Sequence, residues 1–467
     1  MAMVEDDAAA LSAGGGRLGL TGWVLFDWAA QPFFTMILTF VFGPYFVTRL
    51  GSDSVAGQEA WAHAATIAGI GLALTAPLAG VLSDRIGAHK RWIGFLAIFQ
   101  SASLAALWFA APGTGYFWPA LMIVIATMAA ELSVVFNDSM LPRLVPAEAV
   151  NRVSNAAWGI GYLGGMIPLV FFFLFLSADP HTGVTMIGLS PLFGLDPAAG
   201  AAERLSGPLA ALWYLIFLVP LFLFTPETVR SMPVKKALKT GIADLRHTIS
   251  VLTERKDTFR FLMARMLYMD GVNAILTLGP AFAAARFGWS IVEIGLFGIL
   301  INVSALIGCL FASGLSRHLT ARSMVLASLL ILVVANIGFI STTRDGALFG
   351  LIAAPADTGG LFGSGAEKIC VGFALLIGFA FGPVQSASRA FLASTVPVSE
   401  AGRYFGLYSL TGRITSFLGT GAFAIVTGLT GSASAGMATI IIFLLGGLAI
   451  FLTVRRDGGR TPVGRSV

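Results

Sequence analysis

Long apolar runs separated by short polar turns set the pattern of this chain. They cover about 22–47, 60–83, 92–111, 116–140, 153–176 and 208–225, and then, after a polar stretch, about 261–285, 291–315, 323–342, 366–393, 401–430 and 433–454. Most match or exceed the roughly 20 helical residues that cross a bilayer core, and the sixth run is the shortest. Inside hydrocarbon, backbone amides and carbonyls find no water and must pair within their own segment, so runs of this length form α-helices. The pattern predicts an all-α integral membrane protein of about twelve transmembrane helices in two six-helix bundles.

The polar stretch divides the chain. We expect a tail over 1–21, a first bundle over 22–225, a linker over 226–260, a second bundle over 261–454 and a tail over 455–467. Within the linker, Leu238, Ile242, Leu245, Ile249 and Leu252 recur at spacings of four and three, with Lys235, Lys236, Lys239, Arg246, Arg255 and Lys256 on other faces. This is an amphipathic helix, suited to the ends of the spans or to anionic lipid.

The two sets of runs repeat each other. Val145-Pro146 precedes Arg152 by the same spacing with which Val396-Pro397 precedes Arg403, and Gly161 and Gly412 follow at matching positions. Asp27 and Asp270 each stand near one end of the first run of their set. Parallel six-helix repeats imply a solute site near the bilayer midplane where the halves meet.

Composition agrees with the pattern. Charged residues make up 11% of the chain and apolar ones 56%, against about 25% charge in a soluble domain. With the N-terminus cytoplasmic, 23 of the 29 Lys and Arg residues fall on the inner side, leaving Arg49, Arg204, Arg286, Arg344 and Lys368 outside and Arg413 within a span. The positive-inside rule then places both termini in the cytoplasm, and the net charge of +5 reports topology rather than nucleic-acid binding. Residues 1–20 carry Glu5, Asp6 and Asp7 and lack the basic-then-apolar order of a cleaved signal peptide. Cys309 and Cys370 both sit in apolar runs and read as packing residues, so neither a disulfide nor a metal cluster is expected, and no cofactor is implied.

The charged island between the second and third runs, Gly80-x-x-x-Asp84-Arg85-x-Gly87-x-x-Lys90, resembles the signature of the major facilitator superfamily. In order along the chain, Phe26-Asp27-Trp28-Ala29, Phe136-Asn137, Arg152-Val153-Ser154, Gly159-x-Gly161-Tyr162, Met269-Asp270-Gly271-Val272-Asn273, Gln385-x-x-Ser388-Arg389 and Phe405-Gly406-Leu407-Tyr408 are similar to the branch containing the fungal autophagy-related vacuolar amino-acid effluxers and related bacterial permeases. The resemblance covers nearly the whole chain and implies the major facilitator fold and a secondary transporter working by alternating access. It further implies a monomeric permease of the bacterial inner membrane that exports small polar solutes such as amino acids, coupled to protons. The first span departs from the branch: Phe26 replaces a tyrosine, Ala30 an asparagine and Gln31 a serine, so the solute is expected to differ. The second half's turn, Ser313-Gly314-Leu315-Ser316-Arg317-His318, lacks the aspartate, so the halves cannot lock symmetrically.

Candidate chemistry lies with polar groups in apolar runs, where an ionisable side chain is costly unless paired or hydrated. Glu131, Asp27 and Asp270 are candidates for ion coupling. The alternatives are a structural carboxylate for Glu131 and interfacial residues for the aspartates. Trp28, Gln31, Asn137, Trp158, Tyr162, Asn273, Gln385 and Arg413 are candidates to line a solute site, or else to serve as packing and interhelical hydrogen bonds. Gly80, Asp84, Arg85, Gly87, Lys90, Arg152, Arg389 and Arg403 are candidates for a cytoplasmic gate. In it Asp84 meets the amides at the start of the eleventh run near Ala401, where a helix N-terminus favours negative charge, and Arg403 adds a charge-assisted bond.

An enzyme is not expected. None of the five histidines lies deep in a run, and no zinc-protease motif, nucleophile elbow or phosphate-binding loop occurs. A channel would need a pore ring or filter, whereas a receptor or scaffold would keep the fold while tolerating loss of the buried carboxylates.

Overall fold

The computed structural model describes residues 16–51, 53–179, 182–227, 232–252, 254–289, 291–343, 346–353, 356–357, 359–412 and 418–455. In chain order the helices are α1 (Gly16–Pro32), α2 (Phe42–Arg49), α3 (Ser54–Ile86), α4 (His89–Ala106), α5 (Phe117–Leu144), α6 (Ala147–Phe171) and α7 (Ala201–Phe224). They continue as α8 (Val234–Leu252), α9 (Lys256–Phe287), α10 (Ile291–Leu315), α11 (Ala321–Ser341), α12 (Gly365–Thr395), α13 (Ala401–Thr411), α14 (Leu418–Thr430) and α15 (Ala433–Leu452). Among the described residues, eleven helical segments are long and apolar enough to cross a membrane, α1 through α2 counting as one.

Two departures from the expected runs have local causes. The first run is not one α-helix: Pro32 cannot donate a backbone bond, and the chain passes through a π-helical stretch, Phe33–Phe40, before α2. The sixth span starts earlier than its apolar run, at Ala201. The polar start is held because Arg204 donates Nε to Trp108 O at 2.7 Å and lies 4.9 Å over that indole ring. Of the run expected over 401–430, the structure describes α13 and α14, and 413–417 lie outside the described residues. Arg413 lies outside the described residues.

The chain forms two compact units. The first comprises Met1–Pro146, Ile160–Asp244 and Val398–Ser409, and the second Ala147–Gly159, Leu245–Pro397 and Leu410–Val467. Each unit thus includes a short segment drawn from the other half of the sequence.

In the first unit, α1 packs on α7, α3 and α7 flank α4 and α5, and α2 packs on α3. An aromatic core centres on Phe33, Phe42, Tyr45, Phe46 and Phe172, and Tyr45 donates its hydroxyl to Ala110 O at 2.7 Å. The reversal from α3 to α4 runs through Gly87 (φ 67°) and Ala88 (φ 50°), a left-handed pair that only glycine adopts without cost.

In the second unit, α12 packs on α10 and α11, and α9 and α14 pack on α15. The start of α12 is fixed by a capping box between Ser364 and Glu367, and Glu367 also accepts from Trp289 Nε1 at 2.7 Å. Arg286, at the end of α9, gathers Ile340 O, Thr342 O and Ser434 Oγ, which ties three chain ends together.

Candidate functional site

In the first unit the charged island is built around Asp84, which is 3% exposed at the end of α3. Asp84 Oδ1 accepts from Gly402 N at 2.8 Å, and Oδ2 accepts from Arg403 N at 3.0 Å and from Arg403 Nε at 3.1 Å. The first amides of a helix have no partner within it and carry the positive end of its dipole, so a carboxylate fits there on both counts. The approach depends on two glycines: a Cβ on Gly80 would strike Gly402 O, and one on Gly402 would strike Gly80 O. Arg403 also reaches Glu400 Oε1 at 3.4 Å.

The other charges of the island turn to different partners. Arg85 pairs with Asp244 of α8, its Nε lying 2.6 Å from Oδ2. Lys90 donates Nζ to Phe222 O (2.9 Å) and Thr225 O (2.8 Å) at the end of α7. Ser83 Oγ bridges His89 Nε2 and Ser139 Oγ, each at 2.8 Å. Gly80, Asp84 and Arg403 therefore come together, while Arg85, Gly87 and Lys90 fix the turn itself.

Arg152 and Arg389 belong to the second unit, where the corresponding turn is held by neutral groups. Ser313 Oγ donates to Arg152 O at 3.2 Å, and Asn151 Nδ2 donates to Leu319 O at 3.3 Å. A hydrogen-bonded cluster lies beside it: Ser154 Oγ donates to Ser386 O (2.7 Å), and Ser386 Oγ donates to Asn155 Oδ1 (2.6 Å). Arg389, 2% exposed, donates Nε to Ser154 Oγ (2.9 Å) and Nη2 to Ser154 O (3.1 Å). Its guanidinium lies 5.7 Å over Trp158, so that indole serves as a platform for Arg389.

Of the residues expected to handle solute or ion, Asp27, Trp28 and Gln31 share the side of α1 that meets α6. A Cβ on Gly161 would touch Asp27 Cβ at 3.3 Å, and one on Gly165 would crowd Gln31 Cγ at 2.6 Å. Trp28 stacks on Trp213 (5.7 Å between centroids), takes Phe217 edge-on, and accepts at its carbonyl from Trp213 Nε1 at 3.3 Å. Asn137 stands apart, fully buried, its carbonyl accepting from Trp23 Nε1 at 2.8 Å. Tyr162 is buried, and Glu131 is half-buried in the middle of α5.

In the second unit Asp270 is 1% exposed on α9, and its carbonyl faces Gly419 of α14, where a Cβ would stand 2.8 Å away. Asn273 and Gln385 are half-buried on α9 and α12. Among the described residues, no three His, Cys, Asp or Glu side chains gather to hold a metal ion. Sequence reasoning missed Asp244, Trp213 and the Ser154, Asn155 and Ser386 cluster; only Ser154 stood within a motif that drew attention.

Eleven membrane-length helical segments among the described residues and the carboxylate seated on a helix start fit a membrane transporter of the major facilitator class. Within that class the chain belongs to the family described as vacuole effluxer Atg22 like, which matches residues 64–463. An uncharacterized MFS-type transporter of Bacillus subtilis, YxiO, is 24% identical over 441 residues, covering 93% of this chain and 94% of that protein. Autophagy-related protein 22 of Cryptococcus neoformans is 24% identical over 318 residues, 66% of this chain and 54% of the fungal protein, so the chain spans about half the length of that relative. The fold is shared with the Escherichia coli fucose:proton symporter (TM-score 0.68, 14% identity, 94% of this chain and 98% of the symporter). It is also shared with the human organic anion transporter MFSD10 (TM-score 0.64, 17% identity, 93% and 99%).

Proposed function

We propose that the protein is a secondary active transporter that exports small polar solutes, amino acids first among them, by alternating access with protons as the coupling ion. The observation that carries this reading is the placing of Asp27, Glu131 and Asp270 on helices apolar enough to cross a membrane, where an ionisable group is costly and rarely kept without a transport role. Trp28 and Gln31 beside Asp27 supply an aromatic wall and an amide suited to a zwitterion or other small polar solute. The name of the vacuole effluxer family supports export, and the basic residues concentrated on one side support cytoplasmic termini in a bacterial inner membrane.

In this reading the bonds from Asp84 to Gly402 and Arg403 hold the cytoplasmic side closed and must break when it opens. The test is reconstitution of purified protein in proteoliposomes, with an imposed pH gradient and a panel of radiolabelled amino acids. Gradient-dependent accumulation and counterflow of one or more of them are expected. Absence of counterflow for every amino acid, in vesicles where the protein is folded, overturns the solute class.

A further inference from the structure

One face of α8 is docked on the rest of the protein, and two others carry exposed residues. At 100° per residue, Ala237, Gly241, Asp244 and Thr248 share one side. Ala237 is fully buried against Ile86 and Ala88, a Cβ on Gly241 would strike Val81, Asp244 holds Arg85, and Thr248 is 3% exposed. Roughly a quarter turn further round stand Val234, Ile242 and Ile249, which are 46%, 40% and 50% exposed. Beyond these, about another quarter turn on, lie Lys235, Lys239 and Arg246, all exposed.

An exposed apolar stripe bordered by a basic one, on a helix whose opposite side is already docked, matches the region where acyl chains give way to phosphates. The chain also keeps α8 near that region. Only 225–233 separate it from α7 and 253–255 from α9, both of which are long enough to cross the membrane, and even fully extended these connectors reach no more than about 30 Å and 10 Å. A water-soluble protein partner would account for the apolar stripe, but it gives no reason for Lys235, Lys239 and Arg246 to line its edge. A bilayer surface carrying negative charge accounts for both stripes and for their order.

We propose that α8 lies in the headgroup layer of the adjacent leaflet and binds anionic phospholipid. Ile242 and Ile249 reach the acyl boundary, and Lys235, Lys239 and Arg246 meet headgroup phosphates. Because Asp244 on the docked face holds Arg85, the residue next to Asp84, the lipid site sits one helix away from the Asp84 clamp.

The full-length protein in nanodiscs tests this. Cys309 and Cys370 are buried, so a nitroxide attached at Ile242→Cys or Ile249→Cys reports on its own site. Collision with oxygen and with a water-soluble nickel complex is measured in phosphatidylcholine discs and in discs with one third phosphatidylglycerol. Both probes are expected to become oxygen-accessible and nickel-protected with phosphatidylglycerol. In parallel, native mass spectrometry of the variant Lys235→Gln/Lys239→Gln/Arg246→Gln, with no cysteine added, should show phosphatidylglycerol retention falling roughly five-fold for each cation removed. Nickel accessibility in both discs overturns the proposal, as does protection from both reagents, which would mean that protein covers the stripe. Oxygen accessibility with unchanged phosphatidylglycerol retention in the triple variant overturns the recognition of anionic lipid.

Discussion

Asp84 meets Arg403 twice through one oxygen: Oδ2 accepts the backbone amide of Arg403 at 3.0 Å and its Nε at 3.1 Å, while Oδ1 takes the amide of Gly402. A side chain that caps its own turn would have no reason to reach a helix more than 300 residues away in sequence. Asp84→Asn keeps the size but leaves one acceptor oxygen in place of two and removes the charge. A hydrogen bond to a charged group contributes about 1.5–3 kcal/mol. Hydrogen exchange at the amides of 401–405 should therefore speed up roughly ten- to hundred-fold. Unaltered protection there would show that the clamp does not hold α13.

The glycines beside the clamp make a sharper case. Gly80→Ala and Gly402→Ala each put a methyl group into a backbone carbonyl, whereas a Cβ on Gly69, in the same helix as Gly80, would meet nothing within 4 Å. Overpacking against backbone costs about 1–3 kcal/mol. Thermal unfolding in detergent should drop for the first two variants and stay put for Gly69→Ala; equal melting of all three would show that α13 can move away freely.

Arg389 is held in a different manner, by two nitrogens on one serine and an indole face. Lysine would keep the charge but lose the fork and most of the stacking, so Arg389→Lys should lose about 1–3 kcal/mol of stability and Ser154→Ala less. If Arg389→Lys melts like the parent, charge alone fixes this site.

Glu131→Gln removes the titratable group with little change in volume. If Glu131 carries the proton, pH-driven accumulation should vanish while counterflow, which needs no net proton movement, persists. Accumulation at the parent level in this variant would assign Glu131 to structure and leave Asp27 and Asp270 as the coupling candidates.

How much of this could be read from the sequence depends on range. The spans were legible because their signal is local hydropathy, whereas the pairing of Asp84 with a helix start more than 300 residues away came from the resemblance to the major facilitator signature. The start of the sixth span was not legible: Glu203 and Arg204 mask it, and what makes them tolerable, the Trp108 carbonyl and ring, is distant in the chain. Nothing in the linker's pattern singles out Asp244, because its partner Arg85 lies on α3. The Ser154, Asn155 and Ser386 bonds likewise join hydroxyls and amides that carry no pattern until the helices are packed.

The exchanged segments, Ala147–Gly159 in the second unit and Val398–Ser409 in the first, impose an order in time. A ribosome adds about 5–20 residues per second, so Asp84 leaves it on the order of fifteen seconds to a minute before Gly402 and Arg403 exist. Throughout that interval the nascent first unit must keep an unclamped carboxylate and the bare Gly80 at its margin. The final piece of the early-made unit is thus among the last parts of the chain to be synthesised, and a truncation anywhere before residue 398 leaves both units unfinished.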